Sequence, residues 1–264
     1  MKIGVCGICG RMGVSVLEIL RGRGHVLAAA FDREEAHCFG KDAGSLLMGE
    51  KTGVTVSSMG ADAVAACEGI IDFSSPAASL ELITIACDKK IPLVVGTTGF
   101  SSGEKEEILK AAEYIPVLFS PNMSLGVNLL FKLAEVASRA LSEEYDVEIF
   151  EAHHRFKKDA PSGTARRLLD IVRENKRGLG DAVEVAGREG IPGPRGSGEI
   201  GVLAMRGGGI VGEHTLYFVA PDERIELTHR ASSRDTLARG AVMGMEFISG
   251  RPAGLYTMYD VLGW

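Results

Sequence analysis

Residues 2–13, Lys-Ile-Gly-Val-Cys-Gly-Ile-Cys-Gly-Arg-Met-Gly, decide the fold. Lys2–Cys6 is a short apolar run of the kind that forms a buried strand, and a helical rhythm begins just beyond Gly13. Between them Gly7, Gly10 and Gly13 stand three apart. This is the spaced variant of the dinucleotide fingerprint: glycines allow a tight turn and close backbone approach to a pyrophosphate, and the helix N-terminus supplies N–H donors. The turn Gly7, Ile8, Cys9, Gly10, Arg11 and Met12 is therefore expected to hold phosphates, with Arg11 either adding positive potential or standing as a solvated arginine at the helix start. An acid should follow about twenty residues on. Asp32 occupies that place at the end of the second apolar run and is expected to accept from ribose hydroxyls, while Arg33 beside it offers a planar donor fork to a 2′-phosphate. The alternative for this pair is an exposed charged turn.

Working outward, strand-like runs at 2–6, 25–31, 69–73, 92–98 and 116–120 are separated by helical patterns. Ser75-Pro76 supplies a cap followed by proline at the first helical position, and Ser101 with Glu104 makes a capping box. Strands alternating with helices imply a parallel, doubly wound sheet. After a helix near 124–141 the grammar changes. Runs at 146–151, 182–186, 199–206, 210–219 and 224–230 surround a single clear helix, which predicts a second, α+β domain with a largely open mixed sheet.

Residues 151–165, Glu-Ala-His-His-Arg-Phe-Lys-Lys-Asp-Ala-Pro-Ser-Gly-Thr-Ala, concentrate titratable groups between a strand pattern and a helix pattern. Ser162 is a candidate N-cap, and the free N–H groups of a first helical turn make an anion site. The cluster predicts a pocket for a negatively charged small molecule with proton donors at its mouth. Farther on, the Gly/Pro-rich stretch 187–198 reads as a loop closing over a ligand, or else as a connector.

Composition excludes several classes. The 264-residue chain is 45% hydrophobic, enough for a substantial core, and its formal charge of −6 with no long basic run argues against nucleic-acid binding. No stretch has the length of a membrane span, and residues 1–6 run directly into a strand where a signal peptide would need an apolar leader, so a cytoplasmic protein is expected. Cys6, Cys9, Cys38, Cys67 and Cys87 are odd in number and irregular in spacing, so neither a disulfide framework nor a metal site is expected.

The 151–165 segment resembles the signature of the dihydrodipicolinate reductases, enzymes of lysine and diaminopimelate biosynthesis. Gly7–Gly13, Gly96-Thr-Thr-Gly-Phe100, Gly187-Arg-Glu-Gly190 and Gly212-Glu-His214 fall in the order that family shows, so the likeness covers essentially the whole chain. The resemblance implies NADH- or NADPH-dependent reduction of a small cyclic dicarboxylate. It makes His153 the proton donor or acceptor and Lys157 a proton donor, with His154, Ser162, Gly163 and Thr164 binding substrate. It also implies that Gly96, Thr97, Thr98, Ser120, Pro121, Asn122 and Met123 line the nicotinamide end. A Rossmann-type domain of residues 1–124 and 235–264, a substrate and oligomerisation domain of residues 125–234, and a homotetramer follow from the same likeness. Lys157 has a competing role as an electrostatic anchor for a carboxylate, because a lysine exchanges protons easily only when its pKa is lowered. Asp159 is read as holding the loop or a nearby lysine, and His214 and His229 as packing or interface residues. Two other classes share the glycine turn: a dehydrogenase of amino or keto acids, which should lack the 151–165 signature, and a nucleotide sensor, which should lack His153 and Lys157.

Overall fold

The computed structural model describes residues 1–47 and 51–264. In chain order the elements are β1 (Lys2–Cys6), α1 (Arg11–Gly22), β2 (Val26–Phe31), β3 (Val56–Ser57), α2 (Ala61–Ala65), β4 (Gly69–Asp72), α3 (Pro76–Lys89), β5 (Leu93–Val95), α4 (Ser102–Ala111), β6 (Pro116–Phe119) and α5 (Leu125–Ala140). They continue with β7 (Asp146–His153), α6 (Gly163–Asn175), β8 (Val183–Val185), β9 (Glu199–Arg206), β10 (Gly212–Val219), β11 (Arg224–Ala231), α7 (Asp235–Ile248), β12 (Gly254–Tyr256) and α8 (Met258–Val261). The chain divides into two compact units, Met1–Leu125 with Arg234–Trp264, and Gly126–Ser233.

The first unit is a parallel sheet in the order β12-β6-β5-β4-β1-β2-β3. Side chains alternate across a strand, so successive residues feed opposite faces. Ile3, Val5, Ile71, Val94 and Leu118 pack with Leu17 and Leu20 of α1 and Val242, Met245 and Ile248 of α7. Their neighbours Ile70, Leu93, Val95 and Val117 pack with Leu82 and Ile83 of α3 and Ile108 of α4. Each such side chain, once buried, contributes about 1.5–3 kcal/mol of hydrophobic stabilisation. Burial on both faces explains why these strands read as continuous apolar runs. Ser75 caps α3 with Pro76 next, and Ser101 and Glu104 close the capping box of α4. Strand order reverses between β1 and β4, and the carboxyl ends of strands at such a reversal are where open α/β sheets bind ligands.

The second unit has the sheet order β11-β10-β7-β9-β8, antiparallel across β11, β10 and β7 and parallel across β7, β9 and β8. Helix α6 covers one face. Its Leu168, Leu169 and Val172 are buried, as are Val147 and Ile149 of β7 and Leu216 and Phe218 of β10. The opposite face carries Phe150, Leu203, Met205 and Tyr217, with Met205 43% exposed. This is the α/β fold with an added α+β unit.

Three differences from the sequence reading have physical causes. Strands β3 and β12 are two and three residues long, too short for a periodic pattern, and exist because β2 and β6 offer them free edges. Strand β7 runs on to His153 through pairing of Ala152 with Met205 and His153 with Arg206. His153 therefore stands on a strand end and not in the loop. Cys9 and Cys38 are joined in a single disulfide with Cα atoms 6.0 Å apart, a pairing the sequence reading, which expects no disulfide framework, does not identify.

Candidate active site

The glycine turn is built by exclusion. Gly7 has φ +78°, and a Cβ there would overlap the Phe73 carbonyl; a Cβ on Gly13 would overlap the Gly7 carbonyl. The N–H groups of Gly7 and Ile8 donate to Phe31 O at 2.9 and 3.2 Å, which hangs the turn on the end of β2. Ile8 is buried, Cys9 and Met12 are half-buried, and Gly10 and Arg11 are exposed. Helix α1 starts at Gly10 without a side-chain cap, so its first N–H groups have no partner within the helix. Asp32 Oδ2 accepts from Cys9 N–H at 2.8 Å and Oδ1 from Arg33 N–H at 2.9 Å. The acid thus braces the turn, while Arg33 is exposed beside it. A cleft of about 910 Å³ opens here, lined among others by Gly7, Gly10, Asp32, Arg33, Ser74 and Ser75.

Two further loops follow β5 and β6 of the same unit. Buried Asp72, at the end of β4, gathers three hydroxyls, those of Ser74, Ser79 and Thr97, and burial pushes its carboxyl upward despite them. Thr97 is consequently turned inward, with Oγ1 also accepting from Ser74 N–H at 2.9 Å, while Thr98 is exposed. Gly96 has no room for a side chain, because a Cβ would overlap the Phe73 ring. After β6, Ser120 Oγ donates to the Asn122 carbonyl at 3.1 Å and Asn122 Oδ1 accepts from Ser124 N–H at 2.8 Å, turning the chain into α5. Pro121 is exposed and Met123 buried in that turn.

In the second unit the register brings the chemistry together. Glu151 faces His214 across β7 and β10, and His153 faces Arg206 across β7 and β9. Glu151 is fully buried. Its Oε2 accepts from His153 Nδ1 at 2.6 Å and from Arg206 Nη1 at 2.8 Å; its Oε1 accepts from Arg206 Nη2 at 2.7 Å and from Ser162 N–H at 3.0 Å. Burial raises the Glu151 carboxyl, but the bonds from Arg206 and His153 outweigh it and hold it below the ordinary carboxylate value. Burial likewise holds the His153 imidazole below its usual value, against the pull of Glu151. A side chain on Gly212 would approach His153 Nε2 to 3.1 Å, so glycine there keeps that nitrogen clear.

Ser162 caps α6, its Oγ accepting from Ala165 N–H at 3.3 Å and lying 2.9 Å from His214 Nε2. Burial drives His214 down to about 3, which keeps it neutral, and its ring packs edge-on to His153 at 5.2 Å. His154 is half-buried, and its Nδ1 is buried without a hydrogen-bond partner. Gly163 is exposed and Thr164 half-buried in the first turn of α6. Lys157 Nζ pairs with Asp159 at 2.8 Å, as the reading of Asp159 anticipated, and that bond lowers the Asp159 carboxyl. Glu151 and Arg206 receive no role from the sequence, and His214 only one in packing or an interface. Arg206 lies 55 residues from Glu151, and only strand register joins them.

A dinucleotide-type sheet in one unit and an acid-histidine cluster at a helix N-terminus in another are the two halves of an oxidoreductase that works with a nicotinamide cofactor. Family signatures described as "Dihydrodipicolinate reductase, N-terminus" and "Dihydrodipicolinate reductase, C-terminus" match residues 1–123 and 126–262, and the chain belongs to that family. The 4-hydroxy-tetrahydrodipicolinate reductase of Aromatoleum aromaticum is 46% identical over 265 residues, covering 100% of this chain and 95% of its own. That of Thiobacillus denitrificans is also 46% identical, covering 100% and 98%. Among solved structures, the dipicolinate-bound dihydrodipicolinate reductase from Paenisporosarcina sp. TG-14 shares the fold with a TM-score of 0.77 at 21% identity, over 97% of each chain.

Proposed function

We propose that this chain reduces 4-hydroxy-tetrahydrodipicolinate to tetrahydrodipicolinate with NADH or NADPH, a step of lysine and diaminopimelate biosynthesis. The observation that carries the reading is the unbroken 151–165 signature, with His153 hydrogen-bonded to a buried carboxylate at the head of a capped helix. The reading accounts for its family membership and for two sets of features with no other use. The Gly7 and Gly13 positions leave a backbone cradle that a Cβ would fill, and His154 Nδ1 is a buried polar atom left for a ligand.

In this reading residues 1–124 with 235–264 hold the dinucleotide and residues 125–234 hold the substrate. Gly7, Ile8, Cys9, Gly10, Arg11 and Met12 cradle the pyrophosphate, and Asp32 and Arg33 face the adenosine ribose. Gly96, Thr97, Thr98, Ser120, Pro121, Asn122 and Met123 line the nicotinamide end, backbone groups contributing where Thr97 Oγ1 and Asn122 Oδ1 are committed to their own turns. The cofactor, when bound, supplies a hydride. His153 exchanges the accompanying proton at Nε2, its Nδ1 being committed to Glu151. Ser162, Gly163, Thr164 and His154 bind the substrate carboxylates at the α6 N-terminus, where backbone N–H groups favour anions. Lys157 Nζ is paired with Asp159 at 2.8 Å, which supports the anchor role over proton donation.

The half-exposed apolar face of the second sheet supports assembly into a homotetramer, and light scattering tests it. Among the described residues no helix is long and apolar enough to cross a membrane. The decisive experiment follows nicotinamide absorbance on adding freshly made 4-hydroxy-tetrahydrodipicolinate. Oxidation of the cofactor that depends on this substrate is expected; none with either cofactor would remove the assignment.

A further inference from the structure

Four hydrogen-bond donors converge on one carboxylate. Glu151 takes two bonds from Arg206, one from His153 and one from the backbone of Ser162, so each oxygen accepts twice and its acceptor capacity is filled. Such a carboxylate has no freedom to rotate, and what it touches is fixed with it. On one side it fixes the imidazole of His153. On the other it fixes the residue that caps α6, and hence the N-terminus where an anion would sit.

We infer that Glu151, held by Arg206, is the positioning residue of this enzyme: it locks His153 with the proton on Nδ1 and Nε2 facing the reacting molecule, and ties that nitrogen to the anion-binding end of α6. The inference rests on the functional reading above, in which His153 exchanges the proton. It extends that reading to Glu151, which is fully buried, and to Arg206.

The chemistry requires such a device. An imidazole has two tautomers, and the one present is set by the hydrogen bond its other nitrogen makes. With Nδ1 bound to a carboxylate that accepts and never donates, the proton stays on Nδ1. Nε2 then either carries a second proton to give away or presents a lone pair to take one. Arg206 is needed because a bare buried carboxylate would neutralise itself by taking up a proton, which removes its preference for the Nδ1–H form. The clamp also reaches the loop: Arg206 Nη2 donates to the Asp159 carbonyl at 2.7 Å, joining the strand pair to the segment carrying Lys157.

The charges around His153 make the test signed. It faces Glu151 on its own strand, Arg206 on β9, His214 on β10 and Lys157 on the following loop. Of these only Glu151 favours the imidazolium. Removing the carboxylate must lower the His153 pKa.

The experiment labels histidine with ¹⁵N in the full-length protein without ligands and follows the His153 ring by NMR across pH in wild type, Glu151→Asp, Glu151→Gln and Arg206→Met. Wild type should show the Nδ1–H tautomer. Glu151→Gln should lose that preference and shift the His153 pKa down by about one unit or more. Arg206→Met, which leaves the carboxylate unheld, should weaken the Nδ1–H preference, and Glu151→Asp should keep the tautomer. In turnover, Glu151→Gln should lower kcat roughly 10- to 100-fold, with cofactor KM changed less than twofold. A fold defect in Glu151→Gln leaves Arg206→Met to decide. An unchanged His153 tautomer in Glu151→Gln or in Arg206→Met overturns the inference. Since the NMR readouts need no substrate, an inactive wild-type enzyme would remove the assigned reaction while these spectra still judge the clamp.

Discussion

The backbone N–H of Cys9 donates to the carboxylate of Asp32 across 2.8 Å, joining the glycine turn after β1 to the acid that ends β2. Asp32 thus shapes the glycine turn, and in the proposed function it would also face the ribose. Arg33 would have only that second role.

These roles predict different outcomes for the two substitutions. Arg33→Ala should weaken NADPH by about tenfold and NADH by less than twofold, because an exposed guanidinium–phosphate contact is screened by solvent. Asp32→Ser should shift preference towards NADPH and also weaken both cofactors, since the brace on Cys9 is shortened. Fluorescence titration of both cofactors measures this; equal effects of Arg33→Ala on the two would show that this turn does not read the ribose.

At the signature, His153→Gln should lower kcat by about 10²- to 10⁴-fold with cofactor affinity unchanged, the usual cost of a lost general acid. Thr164→Val should chiefly raise substrate KM, as loss of a contact made equally in ground and transition states does. For Lys157→Met the pairing with Asp159 predicts a KM effect; a fall in kcat alone would restore the lysine as proton donor.

Stability should fall on mild acidification. The folded state keeps His214 neutral down to about 3, whereas the unfolded chain protonates it near 6.5. Between those values the unfolded state binds the extra proton, so stability rises with pH across the window and is lost as pH drops. The loss between pH 8 and pH 5 amounts to about 2 kcal/mol from this residue. Burial lowers His153 and His229 as well, adding in the same direction. Urea midpoints at the two pH values should differ less in His214→Phe than in wild type, and an identical difference would acquit His214.

The Cys9–Cys38 bond closes a loop across the glycine turn, with a sequence separation of 29. Cross-linking of that span contributes about 3.6 kcal/mol through the unfolded state. Dithiothreitol should lower the wild-type urea midpoint and leave Cys38→Ser, already lower, unmoved. If reductant leaves wild type unchanged, the bond adds nothing in solution.

The loop of residues 187–198 is anchored at its ends by arginines. Arg188 reaches Glu148 and Glu199, and Arg195 bonds Asp146, Glu148 and the carbonyls of Val147 and Glu199. The stretch between them, residues 189–194, is exposed. Proteolysis near Ile191 in the free protein should be suppressed when cofactor and pyridine-2,6-dicarboxylate are both present; equal cleavage would make the loop a connector.

Much of this was legible in the chain because the signals are local. Ser75-Pro76, Ser101 with Glu104, and Ser162 announce helix starts through bonds made within four residues, and all three are found. The glycine turn is legible for the same reason, its requirement at Gly7 being a positive φ. What escaped reading is what only register or tertiary approach creates. Cys38 looks unremarkable until the segment after β2 brings it to Cys9. Arg206 is one of many strand-end arginines until β9 lies parallel to β7 and sets it against Glu151. His214 reads as a packing residue, and it does pack, but against His153 and the cap of α6.

Helix α7 and strand β12 bear on how the molecule is made. Gly240 lets α7 press against the Met123 carbonyl, Met245 fills the space beside Gly69, and β12 completes the sheet at β6. A ribosome delivers these pieces last, after the whole contiguous second unit. At ordinary elongation rates, on the order of ten seconds pass during which Ile71 and Leu118 await their cover and the outer edge of β6 stands open. The unit begun second is thus the one able to finish first, and the nascent first unit spends that interval with sticky surface, the state in which chaperones find their clients.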